Sequence, residues 1–167
     1  MKECTLLIVD DEPMILKAIL RILRNDRYVI LTSENADEGL KLIESREVDL
    51  VISDQNMPGM SGVEFLRKVK ADHPDTLTIM LTGQTDINVA MQAINDAGVY
   101  KFILKPWDDD DFKLTIRRAL ESKELMRERD TLKERVQSRD AMLQQLEREH
   151  PGITNVPKDK DGYLLFD

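Results

Sequence analysis

Val48-Asp49-Leu50-Val51-Ile52-Ser53-Asp54-Gln55-Asn56-Met57-Pro58-Gly59-Met60-Ser61-Gly62 is the stretch that decides the fold. An apolar run of strand length ends on one carboxylate, Asp54, and a turn rich in Asn, Pro and Gly follows at once. Ser61 then stands where it can cap a helix opening at Val63. In open α/β sheets, ligands bind beyond the carboxyl ends of the strands, so Asp54 sits where chemistry is usually done. By itself it reads equally well as an Asp whose side chain caps its own turn. The flanking chain weighs between the two.

Working outward, the same alternation repeats. Thr5 to Val9 is a short apolar strand ending in Asp10, Asp11 and Glu12, and Pro13 then suits the first turn of a helix. Ile15, Ala18, Ile19, Ile22 and Leu23 have helical spacing, which predicts a helix over about residues 13–25. Tyr28 to Leu31 reads as a second strand, and Asn35, Ala36 and Asp37 open a second helix ending near Ser45. The third strand is Asp49 to Ser53, and the third helix runs from about Ser61 to Ala71. Leu77 to Leu81 is a fourth strand, ending in Thr82 and Gly83. Ile87, Ala90, Met91 and Ile94 mark a fourth helix, and Val99 to Leu104 a fifth strand that runs into Lys105-Pro106-Trp107. Five strand–helix repeats with near-continuous apolar strands imply a parallel sheet covered on both faces, a doubly wound α/β domain.

Asp108 to Asp111 stand at the start of the last helix, where the dipole favours acids. No Gly or Pro interrupts the chain from Asp109 to Glu149, which predicts a rod of about 60 Å at 1.5 Å per residue. A heptad fits its second half. Leu125, Leu132, Arg139 and Leu146 fall on one seam position, and Ser122, Arg129, Val136 and Leu143 on the other. The two arginines make the seam imperfect, so both a two-stranded parallel coiled coil and a single solvated helix fit. His150-Pro151-Gly152 closes the helix, and Ile153 to Val156 with Tyr163 to Phe166 would suit a small hairpin. The expected organisation is a domain over residues 1–122, a helical coiled-coil linker over 123–149, and a tail or the start of an output domain over 150–167.

The 167 residues carry a formal net charge of −8, which argues against a nucleic-acid-binding surface. No basic recognition helix is evident. Cys4 is the only cysteine, so no intrachain disulfide can form and a reducing compartment is expected. No run approaches the roughly 20 apolar residues of a membrane span, and the N-terminus lacks the apolar core of a signal peptide. A soluble cytoplasmic protein without membrane contact is expected.

The predicted strand ends converge on one chemistry. The first brings Asp10 and Asp11, the third Asp54, the fourth the Thr82 hydroxyl and the fifth Lys105. Crowded carboxylates repel, and a hard divalent cation such as Mg²⁺ relieves them. A carboxylate can also act as a nucleophile and take a phosphoryl group, with metal and ammonium neutralising the transferring oxygens. Leu7-Ile8-Val9-Asp10-Asp11-Glu12-Pro13, Asp54-Gln55-Asn56-Met57-Pro58-Gly59, Leu81-Thr82-Gly83 and Lys105-Pro106 together resemble the receiver domain of two-component response regulators, over about residues 4–122.

That resemblance implies a flavodoxin-like five-stranded sheet in the order 2-1-3-4-5. It implies Asp54 as phosphoacceptor from a histidine kinase or phosphotransfer protein. Mg²⁺ would be held by Asp11, Asp10 through water, Asp54 and the Asn56 backbone carbonyl. Lys105 would pair with the phosphoryl group, Thr82 would be the switch hydroxyl, and Phe102 the aromatic that follows it. Asn56 and Gln84 occupy the places that tune phosphoaspartate lifetime in the family; Asn56 also reads as a turn former and Phe102 as plain core. No turnover is expected beyond Mg²⁺-dependent self-phosphorylation and autodephosphorylation. The signal would leave through the face of the fourth helix, fifth strand and fifth helix, and along the extended helix of a homodimer, to an output domain or partner. The competing readings are a phosphorylation-independent dimerisation or scaffold module, and a phosphohydrolase of the haloacid-dehalogenase type. The latter expects an Asp-x-Asp after the first strand, which Asp10-Asp11-Glu12 does not supply.

Overall fold

The computed structural model describes residues 3–153, and the hairpin expected in the tail lies, but for Ile153, outside them. Five strands, β1 (Cys4–Val9), β2 (Tyr28–Ser33), β3 (Leu50–Asp54), β4 (Leu77–Thr82) and β5 (Lys101–Leu104), alternate with five helices, α1 (Pro13–Leu23), α2 (Ala36–Ser45), α3 (Gly62–Asp72), α4 (Ile87–Asp96) and α5 (Asp109–Glu149). All strand pairs are parallel, in the order β2-β1-β3-β4-β5. The flavodoxin-like arrangement is therefore as expected.

The strands are apolar on both faces because both faces are covered. Side chains alternate across the sheet with period two. Leu6, Ile8, Leu50, Ile52, Ile79 and Leu81 pack with residues of α1 and the first turns of α5, including Phe112 and Ile116. Leu7, Val9, Val51 and Met80 pack on the opposite side with Phe65, Leu66, Ala90 and Ala93 of α3 and α4. Strand order reverses between β1 and β3, so their carboxyl ends border the crevice where this class of sheet places its site.

Helix starts are set locally. Asn35 accepts a hydrogen bond from the Glu38 N–H at 2.8 Å. Ser61 and Glu64 form a reciprocal capping box at α3. The Asp108 carboxylate accepts from the N–H groups of Asp110 and Asp111 at 2.9 and 3.0 Å, so the first of the four acids caps α5 and the next three fill its first turn.

Several boundaries shift from the sequence reading. Strand β2 gains Thr32 and Ser33, which pair with Ile8 and Val9 of β1. Strand β3 includes Asp54, opposite Leu81. Strand β5 begins at Lys101 rather than Val99, although the Tyr100 N–H still reaches the Thr78 carbonyl at 2.9 Å. A single 3₁₀ turn, Gln84–Asp86, precedes α4 and has no periodicity of its own to betray it.

The chain divides into two compact units that meet between Lys123 and Glu124, inside α5. Lys123 is buried in the first unit. Its ammonium lies 3.1 Å from the Asp49 carboxylate and donates to the Asp49 carbonyl at 3.1 Å, while the Thr5 N–H donates to the same carboxylate at 2.9 Å. This ion pair fixes the end of the first unit's share of α5 to the amino ends of β1 and β3. No helix among the described residues is long and apolar enough to cross a membrane.

Candidate functional site

Asp54 is the last residue of β3, and its side chain is almost wholly buried. The strand end is held from both sides. The Gln55 N–H bonds the Leu81 carbonyl of β4 at 2.9 Å, and the Gln55 carbonyl receives the Gly62 N–H at 2.9 Å. The Gln55 side-chain oxygen also accepts from the Val63 N–H at 3.1 Å, so α3 starts directly against the strand end. That approach needs glycine at 62. A Cβ there would overlap the Asp54 carbonyl oxygen and stand 2.8 Å from Gln55 Cα.

Asp10 and Asp11 follow β1. Asp10 is fully buried and accepts the Glu12 N–H at 2.9 Å, a bond that turns the chain toward α1. Asp10, Asp11 and Asp54 can each place one carboxylate oxygen within 4.8 Å of the others. Burial raises the Asp10 carboxyl above its usual 3.8, and the Asp54 charge adds to this; the Glu12 N–H and Lys105 only partly offset it.

Lys105 enters from the end of β5. Its N–H holds the Thr82 carbonyl at 2.8 Å, and its ammonium lies 2.7 Å from Asp54 Oδ1 and 3.4 Å from Asp10 Oδ2. Burial alone would lower the Lys105 pKa. The hydrogen bond to Asp54 and the charge of Asp10 outweigh it, so the group stays protonated above its usual range. The peptide bond to Pro106 is cis, and the next residue, Trp107, stacks at a tilt on Phe112 with ring centroids 5.0 Å apart. The loop carrying Lys105 is thus pinned to α5.

The structure brings Asp10, Asp11, Asp54 and Lys105 into one cluster. Thr82 ends β4, is buried, and its hydroxyl donates to the Gly83 carbonyl at a long 3.3 Å. Phe102 stands on β5 opposite Met80, half-buried against the α3–α4 side of the core and outside the charged cluster. The Asn56 side chain is exposed at the mouth of the site and donates to Asp86 at 2.8 Å, tying the loop after β3 to the turn before α4. Gln84 is exposed in that turn. Sequence reasoning missed three supports: the Gly62 approach, the Asn56–Asp86 bond and the Lys123–Asp49 pair. Only the first left a local signal, a glycine directly after the capping serine.

The donor set suits a hard cation. Three carboxylates converge, two of them buried, and oxygen donors of this kind are what Mg²⁺ takes. Burial disfavours the ionised Asp10 carboxylate and the Asp54 charge adds to this; a bound cation would offset both.

Residues 6–117 match the family model described as the response regulator receiver domain. The hydrogenase transcriptional regulatory protein HoxA of Cupriavidus necator is 39% identical over 124 residues, 74% of this chain and 26% of that relative. The nitrogen assimilation regulatory protein NtrX of Azorhizobium caulinodans is 36% identical over 148 residues, 84% of this chain and 32% of its own length. Among solved structures, the signal receiver domain of an HD domain-containing protein from Pseudomonas fluorescens Pf-5 has a TM-score of 0.73 at 36% identity, covering 77% of this chain and 95% of that one. The chain spans only about a quarter to a third of the curated relatives' length.

Proposed function

Because this chain belongs to the response regulator receiver domain family of two-component systems, we propose that it accepts a phosphoryl group on Asp54 from a histidine kinase or phosphotransfer protein. The observation that carries this reading is the Asp10–Asp11–Asp54 cluster with the Lys105 ammonium 2.7 Å from Asp54.

The step is a displacement at phosphorus. A carboxylate oxygen of Asp54 attacks the phosphoryl group of a phosphohistidine, an O–P bond forms and the P–N bond breaks. The imidazole leaves with the bonding electrons and takes a proton from solvent. A bound Mg²⁺, held by Asp10, Asp11, Asp54 and the Asn56 backbone carbonyl, would supply charge neutralisation for the phosphoryl oxygens. Lys105 keeps its proton, turns from the Asp54 carboxylate to an oxygen of the new acyl phosphate, and holds it there. The product adds about −1.5 to −2 charges and three acceptor oxygens.

Thr82 ends the neighbouring strand β4 and its hydroxyl has only a long 3.3 Å bond to lose, so it turns toward the added oxygens. Phe102, on the neighbouring strand β5 opposite Met80, repacks into the space left. The face formed by α4, β5 and α5 then changes; Met91, Tyr100 and Leu104 already expose apolar surface there. This is a two-state element biased by one covalent charge.

Residues 1–122 serve as the phosphoacceptor domain, 123–149 as the helical linker of a homodimer, and 150–167 as a tail or the start of an output domain. The protein works in the cytoplasm, contacts neither nucleic acid nor membrane directly, and passes its signal to an output domain or partner. Catalysis is confined to its own phosphorylation and dephosphorylation. Labelled acetyl phosphate with Mg²⁺ tests the reading. The protein should gain a base-labile label that Asp54→Asn and chelation both abolish; undiminished labelling of Asp54→Asn overturns it.

A further inference from the structure

In the second unit α5 carries an apolar stripe that stands exposed among the described residues. Leu125, Leu132, Val136 and Leu143 are 66%, 59%, 58% and 40% exposed. They recur at alternating three- and four-residue steps with Arg129 and Arg139 between them, so one seam runs along the helix through roughly three heptads. Most helical stability in proteins comes from packing an apolar face rather than from propensity.

We propose that this stripe docks on the same stripe of a second copy of the chain, with the two helices parallel and in register. The proposal rests on the homodimer in the reading above and specifies its geometry. The flanking charges choose the direction. With Val136 at the first seam position, Glu128 and Arg135 precede seam residues, while Lys133 and Asp140 follow them. In a parallel pair each preceding residue faces the following residue five positions further along the other helix. Glu128 of one copy then meets Lys133 of the other, and Arg135 meets Asp140. Both contacts are attractive, and each occurs twice by symmetry.

An antiparallel pair with the same overlap, Leu125 opposite Leu143, would set Lys133 against Lys133 and Arg135 against Arg135. It would also place Arg129 opposite Arg139. Like charges at such positions are destabilising, so the pattern selects one orientation by repelling the other. The two arginine layers are accommodated by their aliphatic stems, with the guanidinium groups reaching the rim, as Arg129 already does toward Asp130 at 3.2 Å. They weaken the pair, so association is reversible and depends on concentration.

The test uses the full chain carrying Cys4→Ser, which removes the only native thiol. In a thiol–disulfide buffer, Val136→Cys should form a self-disulfide, while Ala141→Cys on the outer face should form at least about tenfold less, since only seam residues are held together at high effective concentration. Lys133→Glu should weaken association on the order of tenfold, because two attractive pairs become repulsive, and adding Glu128→Lys should restore it. A mixture of Leu125→Cys and Leu143→Cys proteins that prefers the mixed disulfide would overturn the parallel arrangement yet keep the homodimer. A dimer by sedimentation without any seam disulfide would overturn it too. A monomer at all concentrations would remove both the geometry and the homodimer, leaving Asp54 phosphorylation to stand on its own labelling test.

Discussion

Replacing Gly62 with alanine should damage both the fold and the site, because the added methyl meets backbone rather than a movable side chain. It would overlap the Asp54 carbonyl oxygen, with Gln55 Cα at 2.8 Å and the Asp54 carbonyl carbon at 2.9 Å. Real Cβ atoms essentially never stand closer than 3.0 Å to another heavy atom, so the start of α3 and the end of β3 must separate. Overpacking of this kind costs about 1–3 kcal/mol. Separation also stretches the 2.9 Å bond from the Gly62 N–H to the Gln55 carbonyl, worth about 1 kcal/mol or more where water cannot replace it. Alanine returns about 0.5–1 kcal/mol through its helix preference. The net loss is about 2–3 kcal/mol, or a melting point lower by roughly 8–12 °C for a domain of this size.

The same movement shifts the Asp54 carboxylate from its 2.7 Å contact with Lys105. A displacement of about 1 Å at a reacting group can cost about 10²-fold in rate. Thermal denaturation and acetyl phosphate labelling measure the two effects separately. Gly59→Ala is the control: it meets open space and is strained only by its φ of 82°, so it should cost about 1–2 kcal/mol and leave labelling nearly intact. A Gly62→Ala protein that melts within about 2 °C of wild type and labels at the wild-type rate would refute the close-approach argument.

Lys123→Ala should cost about 3–5 kcal/mol in urea denaturation, because it removes the ammonium that neutralises the buried Asp49 carboxylate, whereas the double change Asp49→Asn with Lys123→Met should cost clearly less than the two single changes summed. Asp10→Asn should stabilise the metal-free protein at neutral pH. A carboxyl raised above 3.8 loses folding stability as pH climbs from 3.8 through its folded value, so the variant's advantage in urea midpoint should widen as pH rises above 3.8 and hold level once the folded carboxyl is ionised. Adding Mg²⁺ should reverse the order, raising the wild-type melting point more than that of Asp10→Asn. Ser61→Ala removes one half of the capping box and should cost about 1 kcal/mol while leaving the labelling rate within about twofold.

Much of the molecule is local in origin. Each strand announces itself by an apolar run that ends on a functional group, and each helix by spacing, joined in α2, α3 and α5 by a side-chain cap. Asp10, Asp11, Asp54, Thr82 and Lys105 were therefore legible as strand-end residues before any coordinates, and parallel winding sends all those ends to one edge. Strand limits were less secure, as at β5, because pairing with β4 rather than the residues' own preference settles them.

What the chain alone could not reveal depends on which distant residues meet. Nothing around Asp49 or Lys123 points to the other across 74 positions, because a buried ion pair leaves no periodic trace. The overlap awaiting a side chain at Gly62 exists only once α3 folds back on the end of β3. The Asn56–Asp86 bond exists only because β3 and β4 are neighbours. Amphipathic pattern and turn chemistry act over a few residues and so are written in order along the chain; close packing and charge pairing act through space, and only the folded sheet decides which groups come within reach.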